Sequence, residues 1–492
     1  MRRRTELRRL RGASGLLAVA VIIAACSTPS APAPVYPTRA ALLDPETCKT
    51  CHVDHYTDWS GSMHAYAAED PVFLAMNARG QRETHGAMGD FCIKCHAPMA
   101  LREGLTKDGL NLATIDRKYK GVTCFFCHTV DDVTGAHDAP LHLANDLVMR
   151  GPYTDPMATH GHPSAYSSLH DRDKADSAKL CGACHDITND HGVALERTFD
   201  EWKKTVFATQ LGASCGQCHM DQSADLRPIA QAPNAPLRRY HTHAQPGVDL
   251  ALTPFPETDS QKKKVQALLD TTLQTAVCVG DGTAGINVIA DNVAAGHSWP
   301  SGAGQDRRAW VEVIAYSGAN VVYQSGVVAQ GGDVTSAAND PDLWLLRDCM
   351  FDASSKQVPM FWQAESNESY LLPGQATFDQ KDPRYYQTHV LQTFPRVGAL
   401  PSVPDRVTMR VRLQPVGADV LADLVKSGDL DSKTQDAMTT FDIGASPIVE
   451  WTPAKAKLGY TVGPVKYSCV TNTNLNFQAQ TFPARARGKC KP

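Results

Sequence analysis

The balance of apolar and polar positions changes character twice along the chain. Residues 1–25 begin with "MRRRTELRRLRG", which holds six arginines, and continue into the uncharged run "ASGLLAVAVIIAA". A basic start followed by a short apolar run predicts a signal peptide, too short for a comfortable membrane span. Residues 26–43, "CSTPSAPAPVYPTRAALL", are Pro/Ala/Ser-rich at their start and read as an extended tether. From 44 to 245 apolar residues recur only over short helical stretches broken by Gly, Asp and Pro, with little strand alternation. Within a linker at 246–275, "QKKKVQALLDTTLQ" predicts a helix. The texture then turns to β. "GINVIADNV", "RAWVEVIAYSG", "ANVVYQSGVV" and "DRVTMRVRLQPV" are Val- and Ile-rich, partly alternating, and bounded by turn residues. They predict an antiparallel β-sandwich over 276–470, with "GADVLADLVKSG" as a helical insertion and an irregular tail at 471–492. The expected fold class is therefore multidomain, a mostly α or irregular domain followed by a β-sandwich domain. A length of 492 residues agrees with that division.

One weak echo runs through the first domain. "YTDWSGSMHA" (Tyr56 to Ala65) and "FDEWKKTVFA" (Phe199 to Ala208) share an aromatic-x-x-Trp pattern. Both predict short amphipathic helices with Trp59 and Trp202 on the apolar side; duplication and coincidence are equally good readings.

A segment so poor in apolar periodicity cannot fill a core with its own side chains, and its cysteines and histidines supply the alternative. "CKTCH" at Cys48 recurs as "CIKCH" at Cys92, "CFFCH" at Cys124, "CGACH" at Cys181 and "CGQCH" at Cys215. Two thiols two residues apart with a histidine directly after form the c-type haem attachment pattern, and this chain's composition would yield roughly 0.02 copies by chance. Zinc ligation and redox dithiols do not require a histidine after every pair. Five covalent haems are expected, attached through Cys48 and Cys51, Cys92 and Cys95, Cys124 and Cys127, Cys181 and Cys184, and Cys215 and Cys218. The proximal iron ligands are then His52, His96, His128, His185 and His219. The porphyrins would serve as the core around which the chain wraps.

Haem of this type is attached outside the cytoplasm, which fits the signal peptide. The end of that peptide, "IIAAC", resembles a bacterial lipobox and makes Cys26 the expected lipidation site; an ordinary cleavage near Ala25 is the alternative. Ser27 in place of an aspartate favours the outer membrane, on its periplasmic side or at the cell surface, with lipid as the anchor. Cys278, Cys349, Cys469 and Cys490 remain, and two disulfides with any of three pairings are expected in an oxidising compartment. A net charge of −4 and no basic stripe after the signal exclude a nucleic-acid partner.

The sixth position on each iron decides what the haem does. Context selects His64, on the helix after the first motif; His162 and His170, ahead of the fourth; at least one of His241 and His243 in "RRYHTHAQPG"; and His142 over His137 after the third. His297, in "AGHSWPSG", qualifies only if the β domain folds against the haems. Met63, Met99 and Met220 are expected to pack, and His55 to be exposed.

The blocks "YTDWSGSMHA…DPVF", "CHAPM", "RGPY…LCGACHD", "EWKK…CGQCHM" and "RYHTHAQPG" are similar to the multihaem cytochromes c grouped with cytochrome c-554 and c-552, over roughly 45–246. "AGHSWPSG…RRAWVEV" looks like a β domain appended to some of them. The resemblance implies electron transfer through stacked haems, mostly bis-histidine ligation, and His64 as a distal ligand. A fifth motif and the large β domain depart from the tetrahaem members. The leading expectation is a membrane-anchored electron carrier between redox partner proteins, needing no catalytic residue. The alternative is an oxidoreductase with one open iron acting on a small nitrogen or sulfur oxyanion. A β domain acting as a docking module is a third reading.

Overall fold

Each Cys-x-x-Cys-His run closes about one helical turn, and this is what the spacing encodes. The histidine N–H donates to the carbonyl of the first cysteine four residues back: His52 to Cys48 at 2.8 Å, His96 to Cys92 at 3.2 Å, and His185 to Cys181 and His219 to Cys215 at 3.0 Å. The third motif lies in the helix Cys124–Thr129, capped by the Thr123 hydroxyl. Residues four apart share a helix face, so one thiol and the imidazole of each motif emerge together.

The computed structural model describes residues 36–157, 161–336, 340–472 and 490. The expected signal peptide, Cys26, most of the tether and most of the C-terminal tail lie outside them. Residues 36–492 form one compact unit. Among the described residues no helix is long and apolar enough to cross a membrane.

The motif-bearing part is built from helices of one or two turns, one longer helix at Pro71–Glu83, and two-stranded ribbons. Asp-Pro pairs start two of the helices: Asp44 caps Pro45–Lys49 and Asp70 caps Pro71–Glu83, each with proline in the first turn where no N–H is missed. The two echo segments share a break. Val53–Ser60 is followed by Met63–Tyr66, and Thr198–Lys203 by Val206–Thr209. Each tryptophan is tied to a distant carbonyl, Trp59 Nε1 to Val122 at 2.8 Å and Trp202 Nε1 to Ala213 at 3.0 Å. Apolar clusters here are small, such as Leu42, Leu43, Met99, Phe125 and Phe126 with their neighbours.

After the predicted helix, found as Thr258–Thr272, the chain is β-rich. One antiparallel sheet runs in the order His389–Phe394, Ile286–Asn292, Leu273–Gly280, Val465–Thr471, Leu458–Val462. A second is centred on Arg308–Ser317 and Arg406–Gln414, with Asn320–Ser325 at one edge and Phe441–Asp442 at the other. Val277, Val288 and Phe394 from the first sheet share one apolar cluster with Val311, Val411 and Leu413 from the second, closed by Val265 and Leu269 of the helix. On the first sheet's other face Cys278 bonds Cys469 on the adjacent strand; Cys349, in the separate strand Asp348–Phe351, bonds Cys490. These are the pairings that spacing left open.

Appendages of the β region interlock with the motif part. The predicted helical insertion, Ala418–Lys426, lays Val420, Leu421 and Leu424 on Val72 and Ala75 of Pro71–Glu83. A three-stranded sheet around Asp348–Phe351 packs Met350 on Val193 and Leu195. Arg197 pairs with the buried Asp348 at 2.7 Å, and Arg79 with Asp423 at 2.6 Å.

Leu413, 0 % exposed between the two sheets, tests that shared core. Leu413→Ala should cost ~3 kcal/mol, the loss of a buried side chain plus the cavity it leaves. Chemical denaturation followed by tryptophan fluorescence should show a clearly lower midpoint.

Candidate metal centres

All five motif histidines have their Nδ1 engaged. His52 faces the carbonyl of Ile229 at 2.9 Å, His96 that of Ala67 at 3.0 Å, His128 that of Arg150 at 2.5 Å and His219 that of Pro246 at 2.7 Å; His185 faces Oε1 of Glu196 at 2.9 Å. A carbonyl or carboxylate only accepts, so Nδ1 carries a proton, and in the neutral ring Nε2 keeps its lone pair for a metal. Burial, reinforced by neighbouring imidazoles, holds His128 down at about 3 and His219 at about 4, so both stay neutral. For His185 burial acts the same way, but the Glu196 bond and charge outweigh it and push the ring up to about 9.

An iron between two imidazoles sets the ring centroids roughly 6.3 Å apart, given metal–nitrogen distances of about 2 Å. Four motif histidines have a second imidazole near that separation. His52 faces His162 at 6.0 Å, His128 faces His243 at 6.3 Å, His185 faces His64 at 6.2 Å and His219 faces His297 at 6.4 Å. The second rings also have Nδ1 occupied by acceptors: His162 by the Pro163 carbonyl at 3.1 Å, His243 by His241 at 3.1 Å, His297 by Ser298 at 2.7 Å, and His64 by the Gln245 side chain. His96 differs. Its ring lies parallel on Phe73, 4.1 Å away, and no histidine ring stands against it among the described residues.

The remaining sequence candidates are placed otherwise. His170 is 5.5 Å from His128, but its Nε2 is bonded to the Cys127 carbonyl at 2.8 Å and its buried Nδ1 has no hydrogen-bond partner. His241 turns Nε2 to the Gln222 side chain at 3.1 Å. His142 is 60 % exposed, with Nδ1 on Asp131 at 2.5 Å. Met99 packs with Phe125 and Phe126. His55, expected at the surface, instead packs against Tyr240 and His243, both 4.6 Å away, and burial drives it down to about 2.

Tertiary contacts position the second rings. The segment carrying His243 is held by Asp58, which accepts from the Tyr240 hydroxyl, from Thr242 Oγ1 at 2.5 Å, from the His243 N–H at 3.2 Å and from Lys264 at 2.8 Å. His64 is pinned by Val122, whose N–H donates to the His64 carbonyl at 2.8 Å; Gly121 before it has φ +70°, and a Cβ there would stand 2.4 Å from that carbonyl. His297 follows Gly296 (φ +74°) in a loop tied to the motif part by Glu201, which accepts from the Ser298 N–H at 3.2 Å and Ser301 Oγ at 2.7 Å. Beyond residue 245 the chain has only His297 and His389, and His389 pairs with Asp291 at 3.0 Å. That scarcity is the one sequence signal that marks His297.

The donor set fits covalent haem. All ten motif thiols are free of disulfides. Thiols of different motifs stand within hydrogen-bonding reach of one another, Cys48 with Cys124, Cys95 with Cys184 and Cys181 with Cys215. His185 keeps 50 % of its side-chain surface accessible. Arg172 is a buried guanidinium whose Nη2 donates to Gln217 inside the fifth motif at 3.0 Å. Its Nε and Nη1 have no hydrogen-bond acceptor among the described residues, Nε approaching Asp173 only to 3.9 Å. An unmatched buried cation at a motif is the complement of a haem propionate. Arg150, Arg307 and Arg308 already have carboxylates, Asp146, Asp249 and Asp419 respectively.

Thiol pairs, oriented imidazoles and facing second imidazoles are the donor set that covalently bound c-type haem uses. Residues 47–129, which contain the first three motifs, match the family described as cytochrome c554 and c-prime. The chain is similar to the multihaem c-type cytochromes of this family. Its fold is similar to that of a penta-heme cytochrome c552 from Thermochromatium tepidum, with a TM-score of 0.53 and 18 % identity over 84 % of this chain and 99 % of that one. No curated protein matches the chain.

Gly121→Ala forces a side chain into a left-handed φ against the His64 carbonyl. It should cost at least ~1–2 kcal/mol from backbone conformation alone, read as a lower thermal midpoint, with Gly212→Ala (φ +61°, nothing near its Cβ) as the control for the conformational cost without the contact.

Proposed function

We propose that this chain is an exported electron carrier with five covalent haems, passing single electrons between redox partner proteins. Residues 44–245 would be the haem domain, 246–275 the linker and 276–470 a β-sandwich domain, with the chain lipidated at Cys26 after removal of 1–25 and held off the outer membrane by a tether at 26–43. The observation that carries the reading is the set of inter-motif thiol contacts. The first motif meets the third, the second meets the fourth and the fourth meets the fifth. Groups attached to neighbouring thiols are brought edge to edge, which short electron hops require.

The ten motif cysteines would hold the haems, and His52, His96, His128, His185 and His219 would be the proximal ligands. We assign His162, His243, His64 and His297 as distal ligands opposite His52, His128, His185 and His219. Haem iron supplies the one-electron couple. The chain supplies orientation through the Nδ1 bonds, burial, and a β region that delivers His297. Purified protein should carry five haems by mass and pyridine haemochrome assay. Replacing both cysteines of any one motif with alanine should remove one haem. His297→Ala should convert one ferric haem from low to high spin in electron paramagnetic resonance while the other signals persist. Retention of every low-spin signal would refute that ligand.

The second reading, an oxidoreductase acting on a small nitrogen or sulfur oxyanion, is favoured by one observation, the lack of an imidazole facing His96 among the described residues. One high-spin ferric haem in the wild-type protein, perturbed by cyanide or nitric oxide, would support it. Spectra that are wholly low-spin and inert to both would leave transfer alone.

A further inference from the structure

The motif histidines differ in a way that Cys-x-x-Cys-His spacing cannot encode. Four present Nδ1 to a main-chain carbonyl, whereas His185 presents it to a carboxylate, Oε1 of Glu196 at 2.9 Å. The local fold sets this up. Ile187–Thr188, directly after the motif, pairs with Ala194–Glu196, with Ile187 opposite Glu196, so the ribbon returns the carboxylate to the histidine two residues before it. The Glu196 side chain is 15 % exposed, and His185 is its ion-pair partner among the described residues. The Thr198 hydroxyl approaches the same oxygen at 3.5 Å.

A carbonyl offers the imidazole a partial charge; a carboxylate offers a full one. A charge-assisted bond is about twice as strong, and it draws the Nδ1 proton away so that Nε2 becomes the better electron donor. Ferric iron carries one more positive charge than ferrous, so both the stronger donor and the nearby negative charge favour the oxidised form, most of all where water is scarce. We propose that Glu196 is a positioning residue that lowers the reduction potential of the haem bound at the fourth motif, relative to what a carbonyl at Nδ1 would give. This rests on His185 being an iron ligand, as read above. The fourth motif touches the second through Cys184 and the fifth through Cys181. A low potential at that junction makes it a place electrons cross rather than rest.

The test is a spectroelectrochemical titration of the full-length, haem-loaded protein. Glu196→Gln keeps the shape and can offer the same Oε1 acceptor without the charge. One component should move to higher potential by about a tenfold change in its oxidised-to-reduced ratio, about 59 mV for one electron, with haem content unchanged. Glu196→Asp, which keeps the charge, should return that component towards its wild-type position. A purely structural role for Glu196 would leave every component of the glutamine variant where it was, and that result overturns the inference. His185→Ala separates the two readings. If it alters the low-spin signals while Glu196→Gln moves nothing, the tuning role alone fails; if it leaves all low-spin signals intact, the ligation reading fails first.

Discussion

The hydrogen bond from Nδ1 of each motif histidine to a fixed acceptor is the constraint on which the rest of this structure depends. A covalent tether holds a haem near the chain but does not aim an imidazole. Aiming requires the ring to be held in one tautomer and one plane, and a bond to an acceptor-only group does both. The acceptors come from far along the chain: Ile229 for His52, Arg150 for His128 and Pro246 for His219. Segments with no apolar pattern are thereby committed to one path. The loops and two-stranded ribbons between motifs are the means by which carbonyls arrive at the histidines.

The β region serves the same end from outside. Its core is conventional, two sheets sharing apolar side chains. Its appendages grip the motif part through Leu421 on Val72, Met350 on Val193 and the Arg197–Asp348 pair. Between those grips the loop at 296–301 is held by Glu201 and sets the His297 ring 6.4 Å from His219. The β region thus reaches the fifth motif directly, which gives it a part in the metal-binding half of the molecule as well as a fold of its own.

Much of this was legible in the sequence. The motif spacing specifies one helical turn with thiol and imidazole on one face, because helix geometry is local. The strands at Ile286–Asn292, Arg308–Ser317, Asn320–Ser325 and Arg406–Gln414 and the helices Thr258–Thr272 and Ala418–Lys426 follow from composition and period for the same reason. His64, His162 and His243 stood out by their neighbours, and each faces a motif histidine.

What the tertiary structure decided is which ring faces which. His64 lies beside the first motif in sequence yet faces the fourth; His162 precedes the fourth yet faces the first. His142 and His170 were also candidates by context, but one is at the surface on Asp131 and the other has Nε2 committed to a carbonyl. The sequence by itself determined the chemistry: ten thiols, five imidazoles and a β-rich second half, all set by residue type and short-range spacing. Only the folded chain decided the pairing of imidazoles, the disulfide partners Cys278–Cys469 and Cys349–Cys490, and the carboxylate under His185. Those are contacts between residues far apart in the chain or on paired strands, and their partners are chosen by the packing of the whole rather than by any local rule.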